Sequence, residues 1–380
     1  MSPKDSAPPR TTTSTPSDNS DRRRDDPERH EDDLIPGWEP EKNNSNAKKD
    51  SKPPPSFDPS HPLLQPAYPL LSTYSLLIFA TIWGVLARLG LEWIGTFAEG
   101  QVFSVIWAQI VGCIVMGLVT DRKEGIEAIF PPLFIMLGTG FCGSLTTWST
   151  MANDTFVAFA NLDQPMGTSR FTGFLSGVAI TLITLSASIC ALQSGVHLSD
   201  FLPSAASSSV LRHRRPLSRS TGHLLNYLTL FIGPVFWLGS LFLLILGPSS
   251  YRPRATFAIV FGPVGTLLRF NLSKYLNPIN PRFPIGTFSA NVLAVLIFAI
   301  LGIFARHPNS ALSCAAIKGL EDGLCGSLST VSSFVVELRT LGRKDSWRYF
   351  WASWTASEAM LVVVLGAWVW SGDRDGVCRA

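Results

Sequence analysis

Charge is what most of this sequence lacks. Of 380 residues, 16% are charged against 46% hydrophobic, and 23 of the 59 charged residues sit in the first 67, so the remaining 313 carry only 36. A body so poor in charge is too apolar for a soluble domain. The formal net charge is +3, with about −3 in the head and +6 in the body, and no basic face of the kind a nucleic-acid binder needs. The six cysteines (Cys113, Cys142, Cys190, Cys314, Cys325 and Cys378) form no CxxC pair, and no histidine stands at metal-ligand spacing from them. They read as small reduced packing residues rather than a disulfide frame or a zinc site. The first 30 residues lack the apolar stretch of a secretory signal, which leaves the head on the cytoplasmic side. Nothing resembles a nucleotide-binding loop, and no nucleophile stands with a base or a metal set, so neither ATP-driven pumping nor intramembrane enzyme chemistry is expected.

What is present falls into two regimes. Residues 1–67 are rich in Pro, Ser, Asp, Arg and Asn and nearly free of aliphatic clusters, a composition that cannot offset the entropy of ordering. A disordered tail is expected there. Beyond it come nine apolar stretches, near 68–92, 101–120, 128–160, 171–196, 224–249, 254–276, 284–305, 311–341 and 347–370. Each is long enough as a helix to cross about 30 Å of hydrocarbon, and only helices satisfy their own backbone there. Lys and Arg favour the connections that share a side with the tail. The expectation is an all-α, multi-pass membrane protein of nine transmembrane helices with a cytoplasmic N-terminal tail.

The sequence repeats. Gly84-Val85-Leu86-Ala87-Arg88 matches Gly265-Thr266-Leu267-Leu268-Arg269, and Phe141-Cys142-Gly143-Ser144-Leu145-Thr146-Thr147 matches Leu324-Cys325-Gly326-Ser327-Leu328-Ser329-Thr330. Two four-helix repeats follow, 68–197 and 251–371, joined by a linker at 198–250 whose single span inverts the second copy, with a short tail at 372–380. Inverted repeats of this kind place a shared site near the bilayer centre, at irregular helices. Gly138, Gly140 and Gly143 crowd the third span just before a run of Ser and Thr. Each glycine weakens a helix by about 1 kcal/mol relative to alanine, which predicts a broken third helix in each repeat. Carbonyls converging at two such breaks would suit a hard cation, and amides and hydroxyls an anion. Close helix packing is the plainer use of small residues, but the recurrence around Cys-Gly-Ser-Leu favours a site.

These motifs, with Gly286-Thr287 and Asn291 in the seventh span, resemble the CrcB/Fluc fluoride channel family and its eukaryotic FEX (fluoride export) relatives, over residues 68–370. The resemblance implies a fluoride-selective passive channel of the plasma membrane, with fluoride ion and the lipid bilayer as partners, acting as a monomer whose repeats form a pseudo-dimer. The family's pore amide falls on Asn291 in repeat two and on Gln109 in repeat one. Its paired aromatics fall on Val331 and Phe334, and on Trp148 and Met151, next to Thr330 and Thr147. The family's pairing rule then puts Asn291, Phe334 and Trp148 on one working path and Gln109, Met151 and Val331 on a degenerate one. Its structural sodium would be held by backbone carbonyls of Gly143, Thr146, Gly326 and Ser329.

Physically, a path for fluoride must replace its hydration shell with N–H, O–H and the positive edges of aromatic rings. Ser353 and Ser357, four apart, could extend a hydroxyl track or bond back to their own helix. Arg88 and Arg269 either draw anions into a vestibule or snorkel to headgroups. Asp154 and Glu337 match each other and the family's acidic mouth residue. Glu321 and Asp322 replace Gly138 and Thr139 and would repel fluoride unless paired. Glu358 lies inside the ninth span. It is the residue that would serve the rival reading, a proton-coupled secondary transporter of the small-multidrug-carrier type.

Overall fold

The computed structural model describes residues 68–95, 103, 105–162, 169–201, 219–247, 254–307, 310–372 and 378. The expected disordered tail at 1–67 lies outside them, as do 202–218 of the linker and most of 372–380. Every described element is a helix. In order they are α1 (Pro69–Gly95), α2 (Val105–Asp121), α3 (Lys123–Ile129), α4 (Pro131–Ile135), a π-helical segment (Met136–Cys142), α5 (Gly143–Leu145), α6 (Trp148–Phe159) and α7 (Arg170–Phe201). Then come α8 (Arg219–Leu246), α9 (Arg254–Leu276), a 3₁₀ turn (Asn277–Ile279), α10 (Ile285–Phe304), α11 (Ala311–Leu320), a second π-helical segment (Glu321–Cys325), α12 (Gly326–Leu328) and α13 (Ser332–Thr340). α14 (Arg343–Leu361) passes through a third π-helical segment (Val362–Gly366) into α15 (Ala367–Trp370).

Among the described residues six helices are long and apolar enough to cross a membrane unaided, and a seventh results if α2 and the bent α3 count together. The two stretches at 128–160 and 311–341 are each assembled from short pieces. The glycines account for this. Each weakens the helix, the chain adopts a π-helical turn, and at Thr146 and Ser329 the backbone becomes fully extended, with ψ near 147° and 158°.

Elements repeat as the motifs do. α1 presses on the first π segment where Gly84 allows it, since an added Cβ would stand 2.7 Å from the Phe141 carbonyl oxygen. Gly265 on α9 has the same relation to the Leu324 carbonyl oxygen of the second π segment. The linker helix α8 leans on both: the Gly233 N–H donates to Ser75 Oγ of α1 (3.0 Å), and Trp237 Nε1 to the Val260 carbonyl of α9 (2.8 Å). Its other side carries exposed Leu224, Phe231, Val235, Phe242 and Leu246, an apolar surface suited to acyl chains. The largest buried cluster joins both repeats, with Trp148, Met151 and Phe156 packed among Val331, Phe334, Tyr349 and Leu361.

One expectation fails. Cys314 and Cys378 form a disulfide, while Cys113, Cys142 and Cys325 are free and buried and Cys190 is free and exposed. The cysteines are therefore not all reduced packing residues. The chain after α15 returns to the end of α10, where the Cys378 N–H donates to the Ala305 carbonyl at 2.9 Å, and this brings together two cysteines 64 residues apart that no local spacing could pair.

Candidate functional site

The site grows from the two extended breaks, which hold each other. The Thr146 hydroxyl, from the first break, accepts the Val331 and Ser332 N–H groups (3.3 and 3.0 Å) at the start of α13. The Ser329 hydroxyl, from the second, accepts the Trp148 and Ser149 N–H groups (3.1 and 3.0 Å) at the start of α6. Each of these helices thus has its first amides satisfied by the opposite repeat, while the next N–H, of Thr150 and of Ser333, goes to a local hydroxyl, that of Thr147 and of Thr330. All four hydroxyl and aromatic residues concerned, Thr146, Ser329, Ser332 and Trp148, are buried.

Asn291 and Gln109 do the same work one layer out. Asn291 accepts the Thr330 N–H (2.9 Å) and donates to the Thr330 carbonyl (3.3 Å). Gln109 accepts the Thr147 N–H (3.3 Å) and donates to the Thr147 carbonyl (2.6 Å). Each amide clamps the residue that follows the break in its own repeat, and both amides are fully buried. The two clamps are skewed in opposite senses: Gln109 sits closer to the carbonyl it donates to, and Asn291 closer to the N–H it accepts.

Trp148 and Phe334, from different repeats, face each other with ring centroids 4.6 Å apart. Trp148 Nε1 donates to Ser357 Oγ at 2.9 Å, and Ser353 Oγ is buried with no partner among the described residues. The two serines do share a face, and neither bonds back to its own helix. Tyr349, which the sequence reading missed, continues that face one turn earlier, with its ring 4.9 Å from Phe334 and its hydroxyl donating to Glu337 (2.7 Å). The i, i+4, i+8 spacing of 349, 353 and 357 could have found it. Met151 and Val331 are buried in the same cluster.

The arginines cross between repeats. Arg88 donates to the Ser144 carbonyl (2.9 Å) and to the Asp322 carbonyl, and Arg269 to the Thr139 carbonyl (2.6 Å). The Arg269 guanidinium fills the space that a Cβ at Gly143 would need, and the Arg88 guanidinium does the same at Gly326. Both side chains are buried, so neither snorkels. Arg269 differs in that its Nε and Nη1 have no partner among the described residues. It lines a cavity of about 890 Å³ together with Lys123, Lys274, Thr139, Thr287, Thr330, Ser333 and Glu337. Glu337 is held there by Thr287 (2.5 Å) and Tyr349.

The four carbonyls of Gly143, Thr146, Gly326 and Ser329 lie at the ends of α5 and α12, where the helical ladder stops. Among the described residues no hydrogen bond to them is found, so these oxygens are chemically suited to a hard cation. The outlying carboxylates are resolved in part. Glu321 pairs with Lys318 (2.8 Å) and Asp322 with Arg254, so neither is a bare charge. Glu358 is buried, and its Oε1 has no partner among the described residues.

This doubled architecture has known counterparts. The family model described as "CrcB-like protein, Camphor Resistance (CrcB)" matches twice, at residues 75–196 and 256–371. The chain is 32% identical to Fluoride export protein 1 of Neurospora crassa, over 79% of this chain and 67% of that one. It is 31% identical to Fluoride export protein 1 of Candida albicans, over 82% of this chain and 83% of that one. A bacterial Fluoride-specific ion channel FluC, from Escherichia coli O1:K1, is 37% identical over 30% of this chain and 86% of its own. No solved structure matches. Two matches of one family model, each spanning one copy of the arginine and Cys-Gly-Ser-Leu motifs, show that this chain is a two-repeat member of the CrcB-like family.

Proposed function

We propose that the protein is a passive, fluoride-selective channel of the plasma membrane with one working path. The observation that carries this reading is the Trp148 and Phe334 pair, drawn from separate repeats, with Trp148 bonded to the Ser357 hydroxyl and Phe334 four residues beyond the Thr330 that Asn291 clamps. An anion entering the 890 Å³ cavity meets a buried guanidinium with free N–H groups, then hydroxyls, then ring edges, each able to replace part of a hydration shell. The relatives' names, fluoride export protein and fluoride-specific ion channel, identify the halide. The cellular use follows from acid chemistry: hydrogen fluoride crosses lipid uncharged, dissociates inside, and the trapped anion needs a passive way out.

The reading includes nine crossings, counting the broken stretches at 128–160 and 311–341 beside the seven others, with the second repeat inverted and the N-terminal tail cytoplasmic. Cys314 and Cys378 then fall on the exterior side, which is where a disulfide persists. It also includes a monomer in which the two repeats form the pseudo-dimer. A sodium ion held by the carbonyls of Gly143, Thr146, Gly326 and Ser329 would supply fixed positive charge between the two breaks.

The test is fluoride efflux from liposomes carrying the purified chain, with and without a proton gradient. Fast efflux that excludes chloride and ignores the gradient supports the channel. Obligatory proton coupling, lost in Glu358→Gln, would replace it with the carrier. Replacing sodium by N-methylglucamine on both sides should lower stability and flux, and equal behaviour in the two salts would remove the cation from the account.

A further inference from the structure

The two repeats can be compared position by position, and their vestibules are not alike. The registers that align Arg88 with Arg269 and Cys142 with Cys325 also align Thr73 with Arg254, Glu92 with Ser273, and Thr139 with Asp322. On one side Thr73, Ser273 and Thr139 stand around Arg269 and line the open cavity. On the other side the matched positions are all charged, and they are joined. Arg254 pairs with the Asp322 carboxylate, its Nη2 at 2.7 Å from Oδ1, and reaches Glu92 at 3.8 Å. Glu92 in turn lies 3.9 Å from Arg88, whose guanidinium also donates to the Asp322 carbonyl. Lys318 and Glu321 add a further pair beside it.

We propose that the Glu92, Arg254 and Asp322 cluster is a built-in plug that closes the mouth of the Gln109, Met151 and Val331 path. This rests on the one-path reading above and supplies a cause for it that is separate from the altered pore residues. The physical argument has two parts. First, three side chains larger than threonine or serine occupy the positions that leave the other vestibule open. Second, the electrostatics reverse. The open cavity sets Arg269, Lys274 and Lys123 against the single carboxylate Glu337. The plugged side sets Arg88, Arg254 and Lys318 against Glu92, Asp322 and Glu321, with Asp154 also within electrostatic range of Glu92. A buried arginine whose charge is answered by carboxylates within 4 Å no longer draws a halide, whereas one with free N–H groups does. It also explains why carboxylates that would repel fluoride are tolerated at 321 and 322: they stand on the path that does not conduct.

The test compares matched reporters in the full-length chain in lipid nanodiscs, which expose both faces. Ser333 lines the open cavity and Thr150 is its counterpart. Ser333→Cys and Thr150→Cys are treated separately with an anionic methanethiosulfonate, and labelling of the introduced site is followed by peptide mass spectrometry, so the native cysteines stay. With the plug intact, Thr150→Cys should react at least about tenfold more slowly than Ser333→Cys, the lower end of what field and access do to an encounter rate. In the background Arg254→Thr, Glu92→Ser, Asp322→Thr, which installs the open side's residues, the Thr150→Cys rate should rise to near the Ser333→Cys value. Equal rates with the plug intact overturn the proposal, and so does continued protection of Thr150→Cys once the plug is gone. If the triple variant does not fold, Glu92→Gln with Asp322→Asn removes the pairing at constant volume and is judged by the same ratio. Fluoride efflux through the Asn291 path, measured in the plug variants with Ser333 left native, is the folding control and should be unchanged. A wild-type chain that passes no fluoride refutes the proposed function, while the reporter ratio still decides the plug.

Discussion

Replacing Ser329 by alanine removes one oxygen that satisfies two backbone N–H groups, those of Trp148 and Ser149, at the start of α6. Loss of an N-cap costs about 0.5–2 kcal/mol, and a buried donor left without a partner costs about 1–3 kcal/mol, so Ser329→Ala should destabilise the chain by roughly 2–4 kcal/mol. Ser329→Thr keeps the hydroxyl, as Thr146 does at the matched position, and should be near neutral. Because Trp148 is the first residue of α6, fraying there also moves the ring that faces Phe334, and flux should fall more than the loss of folded protein explains. The assay is equilibrium unfolding of the detergent-solubilised protein beside fluoride efflux from liposomes, for Ser329→Ala, Thr146→Ala and the double variant. Since the two hydroxyls belong to one junction, the double variant should depart from additivity by about 0.5–3 kcal/mol. A Ser329→Ala protein as stable and as conductive as wild type would refute the claim that the repeats cap each other.

Other expectations follow from the same contacts. Phe334→Ile or Asn291→Asp should abolish fluoride efflux, while Met151→Ala or Val331→Ala should leave flux per folded channel nearly unchanged; equal losses from both pairs would contradict a single working path. Gly143→Ala and Gly326→Ala each force a methyl group into a buried guanidinium, and both should destabilise the protein; flux should fall further for Gly143→Ala, because Arg269 lines the open cavity and, unlike Arg88, has N–H groups without a partner among the described residues. Arg269→Gln should reduce flux and flatten its dependence on ionic strength, measured by efflux between low and high salt. In sealed, right-side-out vesicles an impermeant reductant should free Cys314 and Cys378 for thiol labelling, and protection of both would reverse the assigned orientation.

Much of the fold was legible because a bilayer leaves few choices. Stretches without charge had to be helices, and α1, α7, α8, α9 and α10 lie close to where hydropathy put them. The repeat was visible in two short motifs; glycine density marked the first break, since weakening a helix is a local property, and the repeat carried that expectation to the second. Asn291, Trp148, Phe334 and the two serines could be named as candidates, but nothing in the sequence said what they touch. That Gln109 clamps Thr147 as Asn291 clamps Thr330 depends on reach across a gap of known width. Tyr349 was not named, because what distinguishes it is its hydrogen bond to Glu337 and its ring contact with Phe334, which only the folded chain brings together.

By itself the sequence determined the helices, their breaks and the doubling, because each follows from residues close together in the chain. The tertiary structure decided what those breaks are for. Hydroxyls of Thr146 and Ser329 cap helices in the opposite repeat, each arginine fills the space left by a distant glycine, and Cys378 returns to Cys314. It also decided that one vestibule is lined by hydroxyls and the matched one is crossed by ion pairs. Those facts join positions 64 to 238 residues apart, and the energy of such a contact depends on distance in space, which spacing along the chain does not record.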